Sequence, residues 1–312
     1  MGFSNPQGTQ PVLDAFQKAL GVAAKRAGDK VIPLNAGLSV SKQVSDIQEL
    51  ITDKVDAIVV FPLAAQALVP ALTHARKAGI KVVGYNAVTT ETATSASLYP
   101  YNADINQGII HQGAKQAAQF VAQQLHGKGN VLGVNISLPV PSLDAFIASE
   151  KQDVTSANPG IHWVGTAFDQ TDDIAGADSS VASALTKYHN KVQAVMAYFD
   201  GAAIGAARAL QSVGVKNVVI VGQQGNTDGI QAVKDGTISA TINEMPYQQA
   251  LIAFTMVKDL LAGKTVPLVI HPPVQFITKS NLSQYVPWTT GIQEIADGKL
   301  TPPTSLSSQP GA

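Results

Sequence analysis

Polar side chains able to exchange hydrogen bonds with hydroxyl groups stand at the ends of several predicted strands. Most are neutral amides and one is an acid: Asn5, Gln7, Asn86, Gln170, Gln223, Gln224, Asn226 and Glu244. Tyr85, Tyr198 and Phe199 accompany them. Amides donate and accept hydrogen bonds, carboxylates accept them, and an aromatic face covers the C–H side of a ring. The set therefore favours a site for a neutral sugar or polyol, and the alternative for any single amide is a turn or a helix cap.

The sequence lacks the motifs that catalysis and metal binding usually need. It contains no P-loop, no dinucleotide fingerprint and no serine elbow, and its six histidines are scattered without metal-ligand spacing. Cysteine is absent, which excludes disulfides, thiolate ligands and a cysteine nucleophile. The run "DQTDD", residues 169–173, lacks the alternating oxygens and glycine of a calcium loop, so we interpret it as a turn that caps a helix beginning near Ile174. We predict that the protein is not an enzyme and holds no cofactor or metal.

The charge balance argues against anionic partners. The chain has 21 lysines and arginines against 22 aspartates and glutamates, a formal net charge of −1, and no long run of either sign. Its only arginines, Arg26, Arg76 and Arg208, fall inside predicted amphipathic helices, although arginine is the usual holder of a carboxylate or phosphate. We therefore expect no nucleic acid, membrane surface or anionic ligand as a partner. No apolar run approaches the roughly 18 residues that span a bilayer.

Short runs rich in β-branched residues alternate with helical periods along most of the chain. The predicted strands are residues 30–36, 57–61, 81–85, 130–136, 161–167, 194–198, 217–222 and 238–242. Strands and helices in alternation predict parallel sheets covered by helices on both faces, and such sheets bind ligands at the carboxyl ends of their strands. A chain of 312 residues is long enough for two such domains.

An internal repeat supports two similarly folded lobes. "KVDAIVVFPLAAQALVPALTHARKAGIKVVGYN" begins at Lys54, and "KVQAVMAYFDGAAIGAARALQSVGVKNVVIVGQQ" begins at Lys191, an offset of 191 − 54 = 137. Each stretch has the pattern of a strand, a helix of small residues, a glycine turn and a second strand. The alternative is a chance likeness between two βαβ units. With a true repeat, the strand-end residues of the two halves would face one another across a cleft between the lobes.

Several motifs resemble the ribose-binding family of periplasmic solute-binding proteins and the related effector domains of LacI-type repressors. They are "FSNPQGTQPVLDAF", "VDAIVVFP", "AGIKVVGYNA", "VQAVMAYFDGAAIGAARALQSVG" and "VIVGQQGNTDGIQAVKDGTISATINEMP", and the resemblance extends to about Ile277. It implies an α/β fold of two Rossmann-like lobes with parallel sheets, the type I periplasmic binding protein fold. The lobes are joined by a three-crossover hinge, with crossovers expected near residues 101–102, 243–244 and 273.

The resemblance also implies the division of the chain. The N-terminal lobe is residues 1–101 with 245–273, and the C-terminal lobe is residues 102–244 with 274–290. Residues 291–312, which end in "TPPTSLSSQPGA", are predicted to form a flexible tail. Because only three residues precede the "SNP" motif, we expect a leader and part of the first strand to be absent from this chain. Some loss of sheet pairing at the lobe edge should follow.

The resemblance further implies which positions face the ligand. Asn5 matches the family's first-loop asparagine, and Gln7 stands where aromatics are usual. Other sugar-reading residues are replaced: an aspartate-arginine pair by Tyr85 and Asn86, an asparagine by Phe199, an aspartate by Gln224 and a glutamine by Glu244, while Phe146 falls near a missing arginine. Gln170 joins this set from the strand-end pattern. The cleft should therefore be less polar and suit a short polyol or a deoxysugar better than ribose, and Glu244 adds the option of a cationic ligand.

Residues 197–210, "AYFDGAAIGAARAL", join a predicted strand to an alanine-rich helix. We predict that Asp200 is the N-cap of that helix, with its carboxylate on the exposed backbone amides. Phe199 then offers the ligand an apolar face where the family has a hydrogen-bonding asparagine.

The function implied by the resemblance is that of the exported solute-binding component of an ABC importer. Such a protein closes on a small neutral carbohydrate or polyol and presents it to a membrane permease, without chemistry. We expect a monomer that is periplasmic or lipid-anchored at the cell surface. One alternative is the effector domain of a LacI-type regulator, which needs a basic helix-turn-helix before residue 1, or a ligand carrier for a sensor or chemoreceptor. Another is an enzyme on the same fold, which the missing motifs disfavour.

Overall fold

The chain folds into two compact units of similar size. The computed structural model describes residues 1–90, 93–106, 109–303 and 306. The first unit comprises Met1–Gln107, Met245–Pro273 and Val286–Ala312, and the second comprises Gly108–Glu244 and Val274–Tyr285. These segments alternate between the units, so the chain passes from one to the other four times, once more than the predicted three crossovers.

Strands and helices alternate along both units. The strands are β1 (Gly2–Asn5), β2 (Ile32–Asn35), β3 (Ala57–Val60), β4 (Lys81–Tyr85), β5 (Ala103–Ile105), β6 (Lys128–Ile136), β7 (Gly160–Asp169), β8 (Ala194–Ala197), β9 (Val219–Gln224), β10 (Ala240–Asn243), β11 (Val269–Ile270) and β12 (Gln275–Thr278). The helices are α1 (Pro11–Arg26), α2 (Val40–Thr52), α3 (Ala65–Lys77), α4 (Ser95–Leu98), α5 (Ala114–Gln124), α6 (Pro141–Ser156), α7 (Ile174–Lys187), α8 (Asp200–Ser212), α9 (Thr227–Asp235), α10 (Pro246–Leu261) and α11 (Trp288–Asp297). Within the described residues, no helix combines the length and the apolarity that crossing a bilayer requires.

Each unit is built on one sheet, and the two sheets share a strand order. The first sheet has the order β11-β5-β4-β3-β1-β2, and the second has the order β12-β10-β9-β8-β6-β7. The described strand pairs are parallel except for β10 with β12, which is antiparallel. The predicted parallel sheets are confirmed. Since β3-α3-β4 and β8-α8-β9 occupy the same places in their sheets, the internal repeat corresponds to equivalent structure.

Apolar helix faces cover the first sheet. Ile47 and Leu50 of α2 lie with Leu68 and Leu72 of α3 in a buried cluster that includes Ile58 of β3. The helical residues recur at three- and four-residue intervals, which places them on one face of each helix. Burial of these faces against the strands leaves the carboxyl ends of the strands to the connecting loops.

The first unit extends beyond residue 101, which is the boundary that the sequence predicts. Strand β5 pairs with β4 on one side and with β11 on the other, both within the first sheet. Its hydrogen bonds therefore hold the segment up to Asn106 in the first unit.

The expected loss of pairing at the first strand is wrong. Strand β1 lies inside the sheet, between β2 and β3, and it pairs on both sides from Gly2 onward. The backbone N–H of Ile32 also donates to the carbonyl oxygen of Met1 at 3.0 Å.

The predicted tail from residue 291 begins too early. Helix α11 continues to Asp297 and packs on α1 and α10 of the first unit, so residues 286–290 also belong there rather than to the second unit. Gly291 lets α11 approach α10, because a Cβ atom at this position would lie 2.5 Å from Tyr247 Cδ2. Arg26 Nη1 adds a hydrogen bond to the carbonyl oxygen of Ala296 at 2.6 Å. Of the predicted tail, residues 304–305 and 307–312 lie outside the described residues.

A glycine-to-alanine substitution tests this close contact between helices, and the same substitution at an open helix position measures the effect of helix propensity alone. We expect Gly291→Ala to lower the free energy of unfolding by about 1–3 kcal/mol, because the new Cβ collides with the Tyr247 ring. The matched control is Gly21→Ala in α1, where a Cβ would meet nothing within 4 Å. That variant should raise the free energy of unfolding by about 0.5–1 kcal/mol. Urea denaturation measures both, and a stable Gly291→Ala would contradict the packing of α11.

Candidate functional site

At the carboxyl end of β1, Asn5 organises the turn that follows. Its Oδ1 accepts the backbone N–H of Gln7 at 3.0 Å, and its Nδ2 donates to Gln17 Oε1 at 3.1 Å. Asn5 is fully buried and Gln7 is half-buried. The turn interpretation of this amide is therefore correct, and it places Gln7 at the edge of the first sheet.

Tyr85, at the carboxyl end of β4, is a core residue of the first unit. Its ring stacks on Phe16 with centroids 4.3 Å apart and meets Phe61 edge-on at 5.4 Å. Its hydroxyl donates to Gln249 Oε1. Neighbours within the unit therefore contact both the ring and the hydroxyl of Tyr85, and its role in a ligand site stays a prediction.

Asn86 follows Tyr85 and has an unusual backbone conformation. Its φ of 59° lies in the left-handed region, which asparagine tolerates better than most residues. Its N–H donates to the carbonyl oxygen of Ile105 at 2.8 Å, and its side chain is buried. The next two amides, of Ala87 and Val88, donate to the fully buried carboxylate of Asp104 at 2.9 and 3.3 Å.

At the carboxyl ends of β9 and β10, predicted site residues meet in a buried polar cluster. Gln223 Nε2 donates to Glu244 Oε1 at 2.6 Å, and the backbone N–H of Glu244 donates to the carbonyl oxygen of Gln224 at 3.0 Å. Asn226 Nδ2 contacts Gln224 Oε1 at 3.4 Å. The φ of Gln224 is 102°, again positive. Gln223 Oε1 is buried and has no hydrogen-bond partner among the described residues, so it can accept one from a ligand.

Glu244 is an acid whose surroundings favour the neutral form. Burial, together with a smaller contribution from the nearby Asp200 carboxylate, raises its pKa to about 8 against the lowering effect of the Gln223 hydrogen bond. A protonated carboxyl group can donate one hydrogen bond and accept others. At neutral pH Gln223, Gln224 and Glu244 therefore present neutral donors and acceptors, which can exchange hydrogen bonds with hydroxyl groups.

Asp200 does not cap α8 as predicted. The N-cap residue is Phe199, whose side chain makes no capping hydrogen bond, and Asp200 is the first residue of the helix. Its carboxylate instead turns into the sheet, where it accepts from Thr241 Oγ1 at 2.6 Å and from the backbone N–H of Asn226 at 2.9 Å. It is fully buried, and burial raises its pKa to about 7 against the lowering effect of these hydrogen bonds.

The two aromatics before Asp200 pack against each other. The rings of Tyr198 and Phe199 lie 4.7 Å apart at 55°, and the Phe199 ring covers Gly201, where a Cβ atom would collide with it. Tyr198 is buried, and its hydroxyl lies 3.0 Å from Asp169 Oδ2 and 2.9 Å from Asp172 Oδ1. Phe199 therefore stands at the carboxyl end of β8 on a support fixed by Tyr198.

The acidic run after β7 forms a capping turn. Asp169 accepts the backbone N–H groups of Thr171, Asp172 and Asp173 at 2.9–3.1 Å. Asp173 Oδ1 accepts the N–H of Gly176 at 2.8 Å and is the N-cap of α7. The sequence-based interpretation of this run as a helix cap is confirmed.

Phe168 is a site candidate that the sequence interpretation missed. It lies between the buried residues Ala167 and Asp169 at the carboxyl end of β7, and it is 51% exposed. Its carbonyl oxygen accepts Gln170 Nε2 at 3.2 Å, and Gln170 is itself exposed. The signal was an aromatic at a strand end, two residues before the predicted Gln170. Phe146, in contrast, lies on the fully buried face of α6, and its role as a ligand contact stays a prediction.

A surface pocket of the first unit lies away from these residues. It encloses about 520 Å³ at the amino ends of β3 and β4, where Lys54, Val55, Asp56, Ile80 and Leu261 are among its lining residues. In open α/β sheets ligands bind at the carboxyl ends of the strands. The candidate site residues are therefore those at the carboxyl edges, and not the lining of this pocket.

Comparisons with known proteins show the family of this chain. A family model described as "Periplasmic binding protein domain" matches residues 1–265. The chain belongs to this family. The ribose import binding protein RbsB of Bacillus subtilis is 28% identical over 280 residues, which are 89% of this chain and 87% of that protein. A xylitol-binding protein of Mycolicibacterium smegmatis is 27% identical over 269 residues, which are 83% of this chain and 71% of that protein.

A solved structure supports the same assignment. The ABC sugar transporter subunit from Rhodobacter sphaeroides 2.4.1 has a TM-score of 0.77 to this chain at 28% identity, covering 90% of this chain and 98% of that one. The resemblance drawn from the sequence motifs is confirmed, as is the type I periplasmic binding protein fold. In this family protein, the candidate residues lie at the edge of each sheet where the fold places ligands.

The buried acid of the second unit should make stability depend on pH. The folded pKa of Glu244, about 8, lies above its ordinary value of 4.5, so its proton stabilises the folded state and this stabilisation is lost as pH rises toward 8. The side chain of Glu244→Gln is neutral at every pH. We expect its free energy of unfolding, relative to that of the wild type, to rise by at least about 1 kcal/mol as pH increases from about 5 to about 9. Urea denaturation across that range measures the difference.

The control for this variant is Glu49→Gln on the exposed side of α2. Its difference from the wild type should stay within about 0.5 kcal/mol at each pH, as is usual for surface substitutions. A pH-independent difference for Glu244→Gln would show that Glu244 is ionised throughout the folded state.

Proposed function

We propose that this protein is the solute-binding component of an ABC importer and closes around a small neutral carbohydrate or polyol. Its partners are then the ligand and a membrane permease, and it acts as an exported monomer. Family membership and relatives named for ribose and xylitol binding support this proposal. The single observation that carries it is the neutral polar cluster of Gln223, Gln224 and Glu244 at the carboxyl edge of the second sheet.

The chemistry of the carboxyl edges favours hydroxyl groups over charged groups. Amides and a protonated acid exchange hydrogen bonds with hydroxyls in both directions. The exposed ring of Phe168 offers an apolar face for the C–H side of the same ligand. We propose that Gln7, Asn86, Gln170, Phe199, Gln224 and Glu244 contribute to ligand binding together with Phe168, while Asn5 shapes the first loop.

The positions of the arginines support a neutral ligand. Arg26 and Arg76 lie in the last turns of α1 and α3, where they donate to the carbonyl oxygens of Ala296 and Pro100. Arg208 lies within α8. None of these arginines follows the carboxyl end of a strand. An anionic ligand there would therefore lack the bidentate hydrogen bonds by which arginine usually compensates a negative charge.

A thermal-shift screen tests the proposed ligand class. We expect pentoses, deoxysugars or short polyols to raise the melting temperature, because a ligand at about 100 times its Kd adds about 2.7 kcal/mol to native-state stability. Sugar phosphates and sugar acids serve as matched charged compounds and should give no shift. Stabilisation by the charged compounds alone would overturn the neutral-ligand proposal, and stabilisation by amino sugars alone would favour a Glu244 carboxylate paired with a cation.

Truncation of an exposed ring tests the aromatic contact. We expect Phe168→Ala to weaken binding of the most stabilising sugar or polyol by about tenfold, equivalent to about 1.4 kcal/mol, because the C–H face of the ligand loses its cover. Isothermal titration calorimetry measures the affinity, and urea denaturation should show little change because the ring is exposed. The matched control is Tyr99→Ala, an aromatic that is 49% exposed and follows α4. Equal affinities in Phe168→Ala and the wild type would remove Phe168 from the site.

A further inference from the structure

Both units bury an aspartate behind a loop that carries a candidate site residue. In the first unit, Asp104 of β5 accepts the N–H groups of Ala87 and Val88, the two residues after Asn86. In the second unit, the Asp200 carboxylate accepts the N–H of Asn226 and also a backbone hydrogen bond from Gly225. Both carboxylates are fully buried.

The two loops share their backbone geometry. Asn86 has a φ of 59° and Gln224 has a φ of 102°, so each unit has a positive-φ amide residue directly before the amides that bond to the aspartate. Such a conformation is strained in a residue other than glycine, and it persists only where its surroundings hold it. Hydrogen bonds from backbone N–H groups to a buried carboxylate are strong enough to do so.

A glycine makes room for each aspartate. Gly84 and Gly222 stand two residues before Asn86 and Gln224, at an offset of 222 − 84 = 138. A Cβ atom at either glycine would collide with Oδ1 of the aspartate in its own unit. Strand, glycine, positive-φ amide residue and anchored loop therefore recur in the same order in both units.

The aspartates themselves come from different elements. Asp104 lies on β5 directly opposite Gly84 in the sheet register. In the second sheet the position opposite Gly222 is Thr241, and the carboxylate reaches it from α8, where Asp200 accepts the Thr241 hydroxyl. A shared position in the repeat therefore does not account for both aspartates, whereas a shared need to anchor these loops does.

We propose that Asp104 and Asp200 are positioning residues for ligand binding, each holding a strand-end loop so that Asn86 or Gln224 keeps its ligand-binding conformation. Neither aspartate contacts the ligand. The effect on ligand binding rests on the proposed function, whereas the effect on the loops does not.

Protonation of the two aspartates gives the proposal a characteristic pH dependence. Burial raises the pKa of each to about 7. The charged groups that face them are few: the Tyr101 hydroxyl lies near Asp104, and the carboxyl groups of Asp228 and Glu244 lie near Asp200. The ionised carboxylate accepts N–H groups more strongly than the neutral acid, so each loop is held more firmly as pH rises through 7. Overall stability changes in the opposite direction, because a raised folded pKa stabilises the folded state below it.

Amide hydrogen exchange in the ligand-free protein tests the anchoring directly. In Asp104→Asn, one carboxylate oxygen becomes an NH₂ group that faces an N–H donor. We expect corrected exchange at Ala87 and Val88 to accelerate at least about tenfold, with Asn226 unchanged, and Asp200→Ala, which removes both carboxylate oxygens, should give the converse pattern. The matched controls are Asp46→Asn and Glu150→Gln, buried acids on α2 and α6. Unchanged loop exchange, or equal acceleration at every amide, would overturn the proposal.

Affinity measured against pH tests the consequence for binding, with D-ribose and xylitol as the probes. For the wild type we expect binding to tighten between about pH 6 and about pH 8, and Asp104→Asn should bind at least about tenfold more weakly with a flatter profile. Because Glu244 is present in both proteins, its titration cancels in the comparison. Identical profiles would overturn the positioning role. If neither probe binds the wild type, D-ribose and xylitol are excluded as ligands and the exchange experiment alone decides whether the aspartates anchor the loops.

Discussion

The structure depends on burying aspartate carboxylates against the backbone amides of strand-end loops. In a parallel α/β sheet the functional groups lie on the loops that follow the strands, and those loops lack the backbone hydrogen bonds that join neighbouring strands. Asp104, Asp169 and Asp200 each collect backbone N–H groups from the loop after a strand. Each bond satisfies a backbone amide of a loop that carries a candidate site residue.

The same burial determines the electrostatics of the strand ends. Taking an acid out of water disfavours its charged form, which raises the pKa of Asp104, Asp200 and Glu244 to about 7 or 8. Near neutral pH the second sheet thus offers mainly neutral donors and acceptors at its carboxyl edge. Neutrality and hydrogen-bonding capacity together suit hydroxyl groups, and they disfavour a charged ligand that would have to lose its hydration without a partner. Ligand class and loop anchoring therefore have one physical origin.

The candidate site was only partly predictable. Strand-end position correctly indicated that Gln223, Gln224 and Glu244 lie together, because carboxyl ends of neighbouring parallel strands meet at one edge. The strand-end position of Tyr85 does not show that its ring contacts Phe16 and Phe61, which are distant in sequence. The candidate Phe168 was missed because an apolar residue in a strand is expected to be buried, whereas its side chain is exposed.

The sequence alone determined the alternation of strands and helices, the internal repeat and the family, because hydrophobic periodicity and local motifs are properties of short stretches. Only the tertiary structure showed that Asp200 anchors the loop after β9 instead of capping α8, since its partners Asn226 and Thr241 lie 26 and 41 residues away along the chain. It also placed α11 on the first unit, through the contact of Gly291 with Tyr247. Side-chain partners distant in sequence leave no periodic signal, and they become apparent only when the chain is folded.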